Sequence, residues 1–166
     1  MAGSQLQDRL RAVCGALEAH SVEYMLVGGT AVALNGYYRR SIDSKGNLAE
    51  KPDIDVWYNP SYANYFNVLK ALKDLGYDVS ALEQEQSPNP RSAFIKLEFE
   101  DFTFDLLPKI KAKIGFYEAN QRKESVEIVD VPIHFMCVED LIADKKATGR
   151  GKDLEDIRRL KDLRGL

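Results

Sequence analysis

Residues 24–58 read YMLVGGTAVALNGYYRRSIDSKGNLAEKPDIDVWY, and the fold turns on how this stretch is parsed. Tyr24-Met25-Leu26-Val27 is a short apolar run that stops at Gly28-Gly29, the pattern of a buried strand entering a tight turn. Thr30 to Asn35 reads as a short helix that Thr30 is able to cap. Asp53-Ile54-Asp55-Val56-Trp57 alternates and reads as a strand. Alternate strand residues share a face, so Asp53, Asp55 and Trp57 point one way and Ile54 and Val56 the other, toward a core.

Two carboxylates on one strand face, with no basic residue between them, repel. At about 5 Å and an effective dielectric of ~20 the cost is roughly 3 kcal/mol. A divalent cation offsets it most simply, because Mg²⁺ favours carboxylate and phosphate oxygens. Screening by water on an exposed face is the plain alternative. The glycine pair bears on that choice. Glycine allows close backbone approach, and helix N-terminal amides attract phosphate. A ligand-free strand-to-helix turn is the simpler reading of Gly28-Gly29 taken alone. The strand-GG-T-helix pattern followed by a D-x-D strand is much rarer than either half.

The combination resembles the nucleotidyltransferase superfamily, the fold of DNA polymerase β. That pattern has a Gly-Gly or Gly-Ser turn, a D-x-D strand and a third carboxylate on a later strand. Asp105, in Phe102-Thr103-Phe104-Asp105-Leu106-Leu107-Pro108, matches the third. The chain is most similar to the small bacterial branch that includes the AbiEii-type toxins. The likeness extends to Asp140-Leu141-Ile142-Ala143-Asp144-Lys145 and to Arg150-Gly151-Lys152-Asp153, which look like that branch's downstream Lys and Lys-Asp motifs. The branch usually has an Arg and a Ser or Thr just before the D-x-D. Here Arg39-Arg40-Ser41 is set apart from Asp53 by an extra polar segment.

The resemblance implies an α/β (α+β) nucleotidyltransferase fold: a mixed sheet flanked by helices, with C-terminal helices over about 138–164. It implies transfer of a nucleoside monophosphate from an NTP to an acceptor hydroxyl, with release of pyrophosphate. Asp53, Asp55 and Asp105 are then the catalytic and metal-binding residues for two Mg²⁺ (or Mn²⁺) ions. Gly28, Gly29, Thr30, Lys145, Lys152 and Asp153 are the expected nucleotide-binding set. The acceptor is left open among tRNA, a protein hydroxyl and a small molecule.

The 166 residues are expected to form one domain. Hydrophobic residues make up 45%, ordinary for a globular chain, and no apolar run is long enough to span a membrane. The N-terminal Met-Ala-Gly-Ser-Gln lacks signal-peptide features. Cys14 and Cys137 stand alone, without zinc-type spacing to each other or to His20 and His134, which fits reduced thiols in a cytoplasmic protein. A net charge of −3 excludes a chain-wide nucleic-acid signal and leaves only local contacts.

Ser4 is the expected cap of a first helix to about Glu18, with Leu6, Leu10, Val13 and Leu17 as its stripe. Ser41 to Pro52 reads as an exposed loop or flap. Asn59-Pro60-Ser61 starts a helix whose apolar face is Tyr62, Phe66, Leu69 and Leu72, stopped by Gly76. Ala81 to Arg91 reads as a loop, Phe94–Phe99 with Phe102–Leu107 as a hairpin, and Val126–Met136 as a second hairpin about Asp130.

Two helices close the chain. On the first, from about Val138 to Thr148, Lys145 falls among Val138, Leu141 and Ile142. On the second, after Gly151, Asp153 and Asp156 share the arc of Leu154, Ile157 and Leu160, whereas Lys152 falls on the solvated face. Inward charges need partners. Lys145 therefore either pairs with Asp153 or meets triphosphate oxygens.

Two readings of other classes stay open beside the enzyme. One is a nucleotidyltransferase-fold binding or regulatory module, active only with a partner such as an antitoxin. The other is a sugar-nucleotide glycosyltransferase, disfavoured because it needs a larger domain.

Overall fold

A computed structural model of the chain describes residues 2–36 and 53–165. Arg39, Arg40 and the Ser41–Pro52 segment lie outside the described residues. Six strands form one mixed sheet: β1 (Tyr24–Val27), β2 (Asp53–Tyr58), β3 (Ile95–Glu98), β4 (Thr103–Leu107), β5 (Glu124–Ile128) and β6 (Val131–Phe135). Their spatial order is β3-β4-β2-β1-β6-β5. The β2–β4 and β1–β6 pairs are parallel, and the β1–β2, β3–β4 and β5–β6 pairs are antiparallel.

Strand alternation divides the core into two layers. Ile54, Val56 and Tyr58 of β2 and Phe104 and Leu106 of β4 meet Leu10, Val13 and Leu17 of α1 (Ala2–Ala19) and Tyr65, Val68 and Leu72 of α3 (Tyr62–Asp74). The opposite face carries Trp57, Met25 and Val27. It packs on α2 (Gly28–Leu34), α5 (Phe116–Arg122), α6 (Val138–Thr148) and α7 (Gly151–Arg164). Trp57 meets Phe116 edge-on at 5.3 Å between ring centroids, the preferred aromatic geometry. No described helix is long and apolar enough to cross a membrane.

Both expected hairpins form. The second turns through Val129 and Asp130, both at positive φ (47° and 66°), as a tight two-residue hairpin turn requires. Five local expectations are corrected. The first helix already begins at Ala2, so Ser4 lies inside it. The second begins at Gly28 with Val27 at its N-cap, and Thr30 is not the cap. On α3 the buried face runs through Asn64, Tyr65, Val68, Leu69 and Leu72, leaving Tyr62 and Phe66 exposed, because the carboxamide of Asn64 turns inward. That carboxamide bonds the Glu23 backbone in both directions, which ties α3 to the start of β1. The expected loop Ala81–Arg91 is overlapped at its start by a short helix α4 (Ser80–Glu83) and at its end by a 3₁₀ turn at Pro90–Ser92. On α7, Leu154 is exposed while Asp153 and Asp156 are buried.

Candidate functional site

β2 and β4 run parallel with Asp55 directly opposite Asp105 and Asp53 opposite Thr103. Alternation puts these side chains on the face away from α1 and α3. The two carboxyls are close enough for Asp55, when protonated, to hydrogen-bond Asp105. Burial first, then the charges of Asp105 and Asp53, push the Asp55 carboxyl up to about 7, against the opposing pull of Lys145 and Arg150. The Asp105 carboxyl is also raised, by burial above all and by Asp53, with Lys96 acting the other way. Lys96 faces Asp105 across the β3–β4 ladder. One oxygen, Asp105 Oδ1, is buried with no hydrogen-bond partner.

The Gly28 turn closes on the same carboxylate. Gly28 has φ +63°, and a Cβ built there would lie 2.4 Å from Asp55 Oδ2. Only glycine meets both conditions, the left-handed backbone and the missing side chain. The Thr30 hydroxyl donates to the Asp53 carbonyl at 3.1 Å, so this buried side chain ties α2 to β2.

Lys145 is 4% exposed and lies 3.2 Å from Asp153 Oδ1 and 3.1 Å from Asp156 Oδ2. Asp153 also accepts from Arg150 Nε at 2.6 Å and, as part of a capping box, from the Arg150 backbone N–H at 3.3 Å. Burial opposes ionisation of Asp153, but the Arg150 hydrogen bonds and neighbouring Lys145 outweigh it and hold the carboxyl below its ordinary range. The network fastens α6 to α7 beside the carboxylates.

A cleft of about 510 Å³ opens here, lined by Gly28, Asp55, Lys145 and Asp153 of the expected residues. Gly29, Thr30, Lys152, Asp53 and Asp105 are not among its lining. Its other walls include Phe94, Lys109, Lys111, Asp144 and Arg150, none of which the sequence reading assigned to the site. The Lys-Ile-Lys-Ala-Lys-Ile alternation at 109–114 was a usable signal for the lysines. Asp144 carried no such signal, because its role is to accept the backbone N–H groups of Lys111 and Ala112, at 2.8 and 3.0 Å.

No protein-family model and no curated protein matches the sequence. Solved structures match in shape. The solution structure of the antibiotic-resistance factor ANT(2'')-Ia has a TM-score of 0.60 at 18% identity, covering 98% of this chain and 85% of that one. The lincomycin-bound crystal structure of the lincosamide antibiotic adenylyltransferase LnuA has a TM-score of 0.54 at 21% identity, covering 88% and 90% of the two chains. An antigenic nucleotidyltransferase-like protein from Paracoccidioides brasiliensis has a TM-score of 0.53 at 14% identity, covering 98% and 78%.

This is the nucleotidyltransferase fold.

Within the nucleotidyltransferase fold, the chemistry of the donor set is that of a hard-cation site. Asp55 and Asp105 converge, repel each other, and leave one buried oxygen without a donor. The nearest buried ammonium, Lys145, is already engaged by Asp153 and Asp156. Asp53 shares the strand face, but its carboxylate accepts the Thr103 hydroxyl. Among the described residues no three ligating side chains are already gathered as a metal set. Two of the three carboxylates thus fit a cation as they stand, and the third borders them.

Proposed function

We propose that the chain is a metal-dependent nucleotidyltransferase that moves a nucleoside monophosphate from an NTP to an acceptor hydroxyl. One observation carries the reading: Asp55 and Asp105 stand opposite each other beneath a glycine turn that admits no side chain. In this reading Asp53, Asp55 and Asp105 hold Mg²⁺ or Mn²⁺. Ions held there would neutralise charge on the carboxylates, on the attacking hydroxyl oxygen and on the oxygen of the leaving pyrophosphate. Gly28 and Gly29 offer backbone to the triphosphate. Thr30 positions β2, since its hydroxyl already serves the Asp53 carbonyl. Lys145 faces phosphate from its anchorage on Asp153, and Lys152 adds charge from outside the cleft. The acceptor oxygen bonds to the α-phosphorus as the bond from that phosphorus to the bridging oxygen breaks, and pyrophosphate leaves. The hydroxyl proton passes to the Asp105 carboxylate, which this reading places closest to the attacking oxygen.

The same reading takes 1–166 as one nucleotidyltransferase-like domain of the AbiEii-like bacterial branch, working in the cytoplasm with Cys14 and Cys137 reduced; both are free and buried. A partner-dependent form, of toxin-antitoxin type, is favoured by one observation. One Asp53 oxygen is engaged by the Thr103 hydroxyl, so bringing all three carboxylates onto a cation calls for a local change that a partner can supply.

The test is incubation with each labelled NTP and Mg²⁺ against total RNA, proteins and small metabolites, with folded Asp105→Asn as control. Label transfer and pyrophosphate release that vanish in D105N are expected. Equal transfer by D105N would overturn the assignment.

A further inference from the structure

The cleft has a second wall that donor binding does not use. Phe94 lies in it with 56% of its surface exposed. It immediately precedes β3, where Ile95 and Leu97 turn into the core and Lys96 faces Asp105, so Phe94 begins the row that ends beside that carboxylate. Lys109 and Lys111 complete the wall. Ile110 and Ile114 pack against the core, which leaves the intervening lysines exposed. Among the described residues neither Lys109 nor Lys111 has an ion-pair partner. Of the acidic residues lining the cleft, Asp144 is committed to the amides of Lys111 and Ala112 and Asp153 to Lys145 and Arg150, while Asp55 stands opposite Asp105.

The wall is held by the strand that carries the D-x-D. The Trp57 indole donates to the Pro108 carbonyl at 3.3 Å, next to Lys109. The Tyr58 hydroxyl bonds the Ala93 carbonyl at 2.5 Å, next to Phe94. An exposed aromatic face and two ammonium groups without an ion-pair partner among the described residues are thus fixed on the Asp105 side of the cleft. Flat rings stack on aromatics, and phosphates collect on lysines.

Resting on the proposed transfer reaction, we infer that this wall receives the acceptor, and that the acceptor is a phosphate-bearing molecule with a flat ring, the chemistry of a nucleotide unit. A cationic acceptor such as lincomycin meets like charge here. The unit belongs either to a single-stranded oligonucleotide or to a free mononucleotide, and the same titration separates the two.

The test is binding by the full chain, titrated with a fluorescent six-residue oligoadenylate, with AMP, with lincomycin and with Mg²⁺·ATP. Oligoadenylate tighter than AMP assigns the wall to a strand, equal affinity to a mononucleotide, and lincomycin tighter than both overturns the inference. Phe94→Ala is expected to weaken the preferred nucleotide probe on the order of 10-fold. Lys109→Gln with Lys111→Gln is expected to flatten the log–log salt dependence of oligoadenylate binding by about 1.4, at ~0.7 per phosphate contact. Both variants should bind Mg²⁺·ATP as the wild type does. A loss confined to Mg²⁺·ATP would make the wall a donor site and overturn the inference, as would nucleotide-probe binding unchanged in both variants. Failure of the wild type to bind Mg²⁺·ATP would instead strike the transferase reading alone.

Discussion

Asp55 of β2 stands directly opposite Asp105 of β4, and Gly28 presses on Asp55 so closely that a Cβ would come within 2.4 Å of its Oδ2. A buried acid beside a second acid is destabilised as an anion, and the turn prevents it from moving away.

The pH dependence of stability follows from that arrangement. The Asp55 carboxyl rises from 3.8 to about 7 on folding, so the native state holds the extra proton between those values. Its contribution is fully present below the unfolded value and is lost as pH rises through the folded one. Metal-free Asp55→Asn is therefore expected to be more stable than the wild type at pH 8, by on the order of a few kcal/mol. The gap should shrink toward pH 4. Thermal melts in chelator across this range check it; a pH-independent gap would refute the electrostatic account.

Gly28→Ala meets two costs at once. A left-handed backbone costs a non-glycine residue roughly 1–2 kcal/mol, and the methyl group must displace the Asp55 carboxylate. Lower stability in denaturant is expected together with loss of Mn²⁺-dependent nucleotide binding. Normal binding by the folded variant would leave the turn with a structural role only.

Lys145→Met removes an ammonium that serves two buried acids. Breaking such a group typically costs ~3–5 kcal/mol, because the remaining charges stay buried. Arg150 still holds Asp153, so the lower end is expected. The folded fraction should also lose affinity for NTP more than for NMP, measured by calorimetry. Equal affinities with a lowered melting temperature would reduce Lys145 to a clamp between α6 and α7.

Asp144→Ala frees the amides of Lys111 and Ala112. Hydrogen bonds to a charged acceptor contribute ~1.5–3 kcal/mol each, less where water replaces them. The global stability change should be modest, whereas hydrogen exchange at Lys111 and Ala112 should speed up at least tenfold. Unchanged exchange at these amides would show that the Ile110 and Ile114 packing alone holds the loop.

Much of this was legible in local periodicity. Alternation in β2 and β4 set which side chains face the core, so Ile54, Val56, Phe104 and Leu106 fell inward and Asp55 and Asp105 outward. Helical phase put Lys145, Asp153 and Asp156 inside, and all three are buried. The same counting failed for Tyr62 and Phe66, because it weighs apolar side chains and misses an inward carboxamide such as Asn64.

What the sequence by itself determined, then, is the face occupied by the strand residues and by the inward helix charges Lys145, Asp153 and Asp156, since strand and helix periods depend only on neighbours along the chain. Only the tertiary structure decided which faces meet. Parallel pairing of β2 with β4 sets Asp55 against Asp105, and no local signal specifies that register. The approach of Gly28 to Asp55 and the wall of Phe94, Lys109 and Lys111 likewise arise where distant segments converge. The physical reason is that pairing and packing are chosen by burial summed over the whole chain, so the partners of a side chain are set by residues far from it in sequence.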